Sequence, residues 1–286
     1  MANNLRSEPS QQTLRVAFIG GGNMAQALGL GLVGKELNAT DVLVIDPSPT
    51  AGKAWQDVGV SVQQSSTPLL SDYNVWIFAV KPQHLKEVVL SCRPYVRHDT
   101  LVLSVAAGIR ATDIAHWLGT PEQPFQRVIR CMPNTPALIQ QGVTGMFALS
   151  AVQEGERTIA TELLEQVGSV VWVKNDEALD AVTALSGSGP AYVFLFLEAL
   201  IEAGMGMGLS AQQARDLALQ TVSGAATLAA QSDSSIEQLR HNVTSEGGTT
   251  AAALQVLNDH SFKSIVAHAM GAAQQRAREM ADEFSQ

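Results

Sequence analysis

The stretch "LRVAFIGGGNMA", Leu14 to Ala25, runs from an unbroken apolar strand straight into three glycines, and the helical pattern "NMAQALGLGLVGK" follows. Its small residues fall in a GxGxxA spacing at Gly20, Gly22 and Ala25. The first glycine permits a tight turn, the second lets backbone approach a pyrophosphate, and the small third lets helix and strand pack closely. The phosphates would then face a helix N-terminus with free N–H groups. A glycine triplet alone is a weak signal. Here a strand precedes it and a helix follows within the first βαβ unit, which is the context dinucleotide binding requires. Gly20, Gly22, Asn23 and Met24 are the predicted contacts.

Outward from this turn, short apolar runs alternate with helical patterns. "VLVID", "VWIFAV", "TLVLSVAAG", "RVIRCMPNTP", "GVTGMFAL" and "SVVWV" read as further strands. "PSPTAGKAWQDVG", "PQHLKEVVLSC" and "AVQEGERTIATELLEQVG" read as helices between them. Such alternation predicts an α/β fold with a parallel, doubly wound sheet. After about Lys174 the strand-like runs stop. "AYVFLFLEALIEAGMGMG", "SAQQARDLALQTVSGAATLAA", "SSIEQLRHNV", "TTAAALQVLND" and "FKSIVAHAMGAAQQRAREMADEF" all read as helices. The predicted organisation is a loose tail over 1–13, a Rossmann domain over 14–174 and an all-helical domain over 175–286.

Composition narrows the function. With 286 residues the chain can bury a large core, and 46% apolar with 16% charged residues indicates a globular protein. A net charge of -9 argues against nucleic acid and anionic membranes as partners. Cys92 and Cys131 form no disulfide framework or metal motif, and the polar start lacks the apolar core of a signal peptide. No apolar run approaches the roughly 18 residues of a membrane helix. The expectation is a cytoplasmic protein without a metal. The six histidines form no ligand cluster, and HExxH, CxxC and GxSxG are absent.

The carboxyl ends of the predicted strands supply the remaining cofactor candidates, because doubly wound sheets bind ligands along that edge. Asp46 ends the second strand, where an acid would bind the ribose diol of NAD or only cap the helix that follows. Ser48, Thr50 and Lys53 follow at once and could hold the 2′-phosphate of NADP, so both cofactors stay open on the residues alone. Val80 and Lys81 lie in "AVKPQ" at the end of the third strand, where Lys81 either meets the cofactor or is only a solvated residue beside the proline that opens the next helix. Ala106, Ala107 and Gly108 are small enough to let a nicotinamide lie against backbone. Asn134, in "MPNTP", could orient a polar group or only shape a loop.

Two stretches in the helical half stand out. "ALSGSGPAYVF" gathers Ser186, Gly187, Ser188, Gly189 and Pro190 before an apolar helix. "VTSEGGTTAAAL", Val243 to Leu254, places two glycines between hydroxyl residues at a helix start. Read alone, that turn either caps a helix or holds an anion.

Five segments decide the matter. "GGGNMA" at 20–25, "AVKPQ" at 79–83, "MPNTPALIQQG" at 132–142, "SGSGPAY" at 186–192 and "LRHNVTSEGGTTAAALQVL" at 239–257 occur in one order across nearly the whole chain. Together they resemble the pyrroline-5-carboxylate reductase family. The resemblance implies an N-terminal Rossmann domain and a helical dimerisation domain, with homodimers that often assemble further, typically into decamers. It implies NAD(P)H-dependent reduction of the cyclic imine 1-pyrroline-5-carboxylate to L-proline, the last step of proline biosynthesis, and it favours NADPH.

By the same resemblance, Ser245, Gly247, Gly248, Thr249 and Thr250 meet the substrate. Ser245 and the glycine turn would hold its carboxylate, and Thr250, the catalytic candidate, would meet its nitrogen. The cofactor would lie across the Rossmann edge with its C4 facing the ring carbon. Two positions depart from the family. Glu246 stands where proline is usual, and it is expected to face solvent or pair with a base such as Arg240. Asp233 stands in place of a glutamate. A hydroxyacid dehydrogenase of similar plan would need a lysine soon after Gly187-Ser188-Gly189, and "PAYVFLF" contains none. A sensing or scaffold protein without chemistry would have no need of Ser245, Thr250 and the paired glycines.

Overall fold

The computed structural model describes residues 13–35 and 37–284. The expected tail lies outside the described residues except for Thr13. Eight strands form one sheet: β1 Val16–Ile19, β2 Val42–Ile45, β3 Ser61–Gln63, β4 Val75–Phe78, β5 Leu101–Ser104, β6 Val128–Met132, β7 Gly142–Ala148 and β8 Gly168–Trp172. Their order is β3-β2-β1-β4-β5-β6-β7-β8. Chain order reverses between β1 and β4, which places the glycine turn after β1 at the crevice of a doubly wound sheet.

Between the strands run α1 Asn23–Gly29, α2 Pro49–Gln56, α3 Pro82–Cys92, α4 Ala111–Leu118 and α5 Glu154–Glu165. All four residues of β1, β2, β4 and β5 are buried, because helices cover both faces. Val16 and Phe18 face one apolar layer with Leu28, Val44 and Trp55. Ala17 and Ile19 face the other with Trp76, Phe78, Leu85 and Ile114. The expected fold class is present, with two differences. β3 is a three-residue polar strand beside β2, too short to show a period. β7 runs antiparallel to β6 because only a short 3-10 turn, Thr135–Ile139, joins them; a parallel pair needs a longer crossover.

The chain divides into two compact units. One runs to Thr183 and takes back the chain from Arg276 onward, and the other is Ala184–Gln275. The boundary expected after residue 174 falls ahead of α6, Asp176–Val182, which is tied to the sheet. The Arg130 side chain of β6, 2% exposed, donates to Asp176 Oδ1 at 2.9 Å and reaches Asp180 Oδ1 at 3.4 Å. Asp176 Oδ2 accepts the Ala111 N–H of α4 at 3.1 Å. Burial pushes the Asp180 carboxyl up, and Arg130 pulls it partway back.

The second unit holds α7 Gly189–Gly206, α8 Ala211–Gln231, α9 Ile236–Asn242, α10 Thr249–Asp259 and most of α11, Phe262–Phe284. A π-helical turn, Thr183–Gly187, leads into α7. α7 meets α8 where the Gly204 Cβ position lies 3.2 Å from the Ala214 Cβ. Ala184, Ala214 and Ala218 are its buried apolar residues among those described, while Leu185, Phe194, Leu195, Met207 and Leu228 are exposed. The unit therefore has almost no core of its own. Asp176–Gly206 is a helical stretch of 31 residues that contains an 18-residue window of mean hydropathy 1.4, by length and composition enough to cross a membrane. This corrects the expectation that no such run exists.

Arg130→Ala is expected to lower the unfolding free energy by about 3–5 kcal/mol in denaturant, because buried Asp180 and half-buried Asp176 lose their shared guanidinium. A loss below about 1 kcal/mol would mean the triad does not hold α6 to the sheet.

Candidate functional site

The first constellation forms at the carboxyl end of β1. Gly20 has a φ of +98°, and a Cβ there would lie 2.6 Å from the Ala79 carbonyl oxygen, so only glycine fits. Its N–H donates to the Ile45 carbonyl at 2.8 Å. Gly22 is the N-cap of α1 and makes no side-chain cap bond, and a Cβ there would meet nothing within 4 Å. The open space and the free N–H groups of the first helical turn form a cradle that suits a pyrophosphate. Asn23 is exposed and Met24 half-buried at the same turn.

Sequence reasoning missed how firmly this turn is held. The middle glycine, Gly21, donates its N–H to Asp46 Oδ2 at 2.7 Å. Its carbonyl accepts from Trp55 Nε1 at 3.0 Å and from Gln26 Nε2 at 2.9 Å. Trp55 stacks on Phe18 with centroids 5.1 Å apart. The pattern of polar side chains on α1 and α2 gave no sign of these bonds, since both partners are ordinary helix residues.

The other predicted cofactor residues sit along the same edge. Asp46 accepts the Ser48 N–H at 2.7 Å through Oδ1, and Ser48, not Asp46, caps α2. Val80 is half-buried, and Lys81 is the exposed N-cap of α3. Ala106 is buried and Ala107 half-buried after β5. Gly108 is small for a further reason: with φ +71°, its Cβ position lies 2.8 Å from Met280 Cβ on α11. Asn134 is buried and accepts the Val143 N–H at 2.9 Å, which closes the β6–β7 connection.

The second constellation is the turn before α10. Gly247 has φ +69°. A Cβ on Gly248 would lie 2.5 Å from Ser245 Oγ and 3.1 Å from the Ser245 carbonyl oxygen. The paired glycines thus let the chain fold back over Ser245. Gly248 is the N-cap of α10 and offers no side-chain cap bond. The first intrahelical bond of that start runs from the Ala252 N–H to the Gly248 carbonyl at 3.1 Å. The N–H groups of Thr249, Thr250 and Ala251 are therefore left to point out of the helix start. Ser245 and Thr249 are exposed, and Thr250 is half-buried. No side-chain cap closes this helix start. Glu246 is exposed, and Arg240 lies 3.7 Å from Glu237 instead, which selects the solvent-facing alternative. Asp233 is exposed between α8 and α9.

Comparison with known proteins gives the same direction. A family profile described as pyrroline-5-carboxylate reductase dimerisation matches residues 176–280. One described as NADP oxidoreductase, coenzyme F420-dependent, matches 15–108. The chain is 40% identical over 275 residues to a pyrroline-5-carboxylate reductase of Pseudomonas aeruginosa, covering 96% of this chain and 99% of that protein. It is 38% identical to the enzyme of Pisum sativum over 93% of this chain and 95% of that one. Among solved structures, a pyrroline-5-carboxylate reductase of Coxiella burnetii superposes with a TM-score of 0.87 at 36% identity, covering 94% and 99% of the two chains. A Plasmodium falciparum pyrroline carboxylate reductase with NADP bound superposes at 0.82 and 29% identity, covering 94% and 98%.

Gly20→Ala should cost about 1–3 kcal/mol of backbone strain and force the turn away from β4. The expected result is a folded protein whose melting temperature no longer rises with added dinucleotide. An undiminished rise would show that phosphates bind elsewhere.

Proposed function

The chain belongs to the pyrroline-5-carboxylate reductase family, and from that premise we propose how its own residues serve the reaction. It is an oxidoreductase that reduces 1-pyrroline-5-carboxylate to L-proline with NAD(P)H. A hydride adds to the imine carbon, a proton adds to the nitrogen, and the C=N bond becomes a single bond. When bound, the reduced nicotinamide dinucleotide supplies the hydride.

The first unit holds that cofactor. Gly20, Gly22, Asn23 and Met24 receive the pyrophosphate at the start of α1. Asp46 and Ser48 serve the adenosine ribose. Val80, Lys81, Ala106, Ala107, Gly108 and Asn134 shape the edge along which the rest of the dinucleotide lies. The fit rests on the cradle at Gly22 and on the glycine-only position of Gly20.

The second unit holds the substrate acid. The observation that carries this reading is the uncapped, glycine-built start of α10. A carboxylate there accepts N–H bonds from Thr249 and Thr250 and a hydroxyl bond from Ser245, and it lies at the favourable end of the helix dipole. Gly247 and Gly248 keep side chains out of its way. As hydride arrives, the nitrogen gains negative charge relative to the neutral imine, and a positioned donor stabilises that change. The Thr250 hydroxyl is this donor. It is too weak an acid to act as the proton source, so it orients a proton that comes from water. Glu246 stays in solvent, where its charge is screened from the bound acid.

The apolar residues exposed on α7 and α8 require a cover, and we infer a second copy of the chain: a homodimer through the helical unit. The match of residues 176–280 to a dimerisation family supports this. Sedimentation should give the mass of a dimer or a multiple of it, such as a decamer; a monomer at micromolar concentration would contradict it.

Kinetics test the division of labour. Ser245→Ala should raise KM for the imine with a smaller change in kcat, since it removes a contact to the carboxylate. Thr250→Ala should lower kcat by about 10²–10³-fold, the usual cost of one transition-state donor. If folded Thr250→Ala keeps parental turnover, the donor assignment is wrong.

A further inference from the structure

The link from β2 into α2 reads "DPSP", Asp46 to Pro49, and its hydrogen-bond donors are almost all spent. The Asp46 N–H donates to the Gln63 carbonyl at 2.9 Å. Pro47 and Pro49 have no N–H. The Ser48 N–H goes to Asp46 Oδ1 at 2.7 Å, and the Ala51 N–H to Ser48 Oγ at 3.4 Å. Among the described residues of this link, from Asp46 to Ala51, the Thr50 N–H is the one backbone donor not engaged. The Gly21 N–H, from the neighbouring turn, is bound to Asp46 Oδ2 at 2.7 Å.

Asp46 is thereby clamped. Its two oxygens take charge-assisted bonds from two separate turns, and rotation away would strand a backbone N–H. An ionised carboxylate has about four acceptor sites, so each oxygen still has capacity for a hydroxyl. The end of β2 is where a doubly wound fold receives the adenosine ribose. A 2′-hydroxyl can donate to this carboxylate. A 2′-phosphate brings only acceptors and further negative charge, against a fixed anion. On α2 the basic residue available to oppose that repulsion is Lys53, which is exposed.

We propose that Asp46 is the specificity determinant of the cofactor site and makes this enzyme prefer NADH, by accepting from the adenosine 2′-hydroxyl and excluding a 2′-phosphate. The proposal rests on the cofactor reading given above. It departs from the NADPH preference that the family resemblance suggests, and the NADP in the Plasmodium falciparum relative does not carry over to this chain. The adjacent prolines contribute by removing the N–H groups that would otherwise bind the phosphate.

Binding decides it without turnover. NADH and NADPH are titrated against the purified full-length protein by nicotinamide fluorescence, in one buffer, without imine. NADH is expected to bind at least about tenfold tighter. Asp46→Asn should narrow that ratio, mainly by improving NADPH. Because Asp46 also holds Gly21, the variant's folding is checked by its melting temperature. If it does not fold, competition on the unaltered protein settles the matter: ADP-ribose should displace NADH at lower concentration than its 2′-phosphorylated form. Equal or tighter NADPH binding overturns the Asp46 assignment and leaves the cofactor site standing. An unchanged ratio in a folded Asp46→Asn also overturns it. Failure of both nucleotides to bind overturns the cofactor reading and this inference together.

Discussion

A helix start leaves backbone N–H groups without partners, and most helices give them a side chain. In this chain α2, α6, α8 and α9 begin on Ser48, Asn175, Ser210 and Ser235, whose side chains accept such a bond. α1 and α10 begin on Gly22 and Gly248, which offer none. Each is preceded by a glycine in the left-handed region, Gly20 at +98° and Gly247 at +69°. Glycine-built starts of this kind suit anions, and in the function proposed above one takes a dinucleotide and the other a carboxylic acid. Both lack the side-chain bond that stabilises an ordinary helix start, and both are held by other means.

For α1 the means are the sheet and its neighbours. Asp46 accepts the Gly21 N–H, Trp55 and Gln26 donate to its carbonyl, and Ala79 limits Gly20 from the β4 side. The buried strands on either side fix the ends from which those groups come. For α10 the support within one chain is thin. Its unit buries three small alanines and exposes phenylalanine, leucine and methionine side chains. Apolar burial at about 25 cal/mol per Å2 is the main source of fold stability, and in the homodimer proposed above a partner copy would supply that unit's core. On that proposal, substrate binding and assembly share one helical layer.

Much of this was legible in the sequence. β1, β2, β4 and β5 are continuous apolar runs, which is how strands buried on both faces read. The GxGxxA spacing and the TSEGGTT turn are local, so chain order alone shows them. What escaped depends on contacts between distant segments. Arg130 reads as a break in an apolar strand until Asp176 and Asp180 are seen beside it. The return of α11 to the sheet unit, with Met280 against Gly108, has no periodic signature. The reversed direction of β7 follows from a short connection that looks like any other loop. Asp46 read as a candidate ribose ligand or helix cap, but its clamping by Gly21 and Ser48 was not legible, because hydrogen bonds to backbone leave no trace in residue type.

The central claim is that the glycine start of α10 binds the carboxylate of substrate and product. Comparing inhibition by L-proline and by L-prolinamide tests it most directly, because the two differ in that group alone. L-Proline should inhibit at least about tenfold more strongly, the scale of a charge at a helix N-terminus with its hydrogen bonds. The difference should shrink in Gly248→Ala, where the new methyl displaces Ser245. Equal inhibition of the parental enzyme by acid and amide would contradict the account.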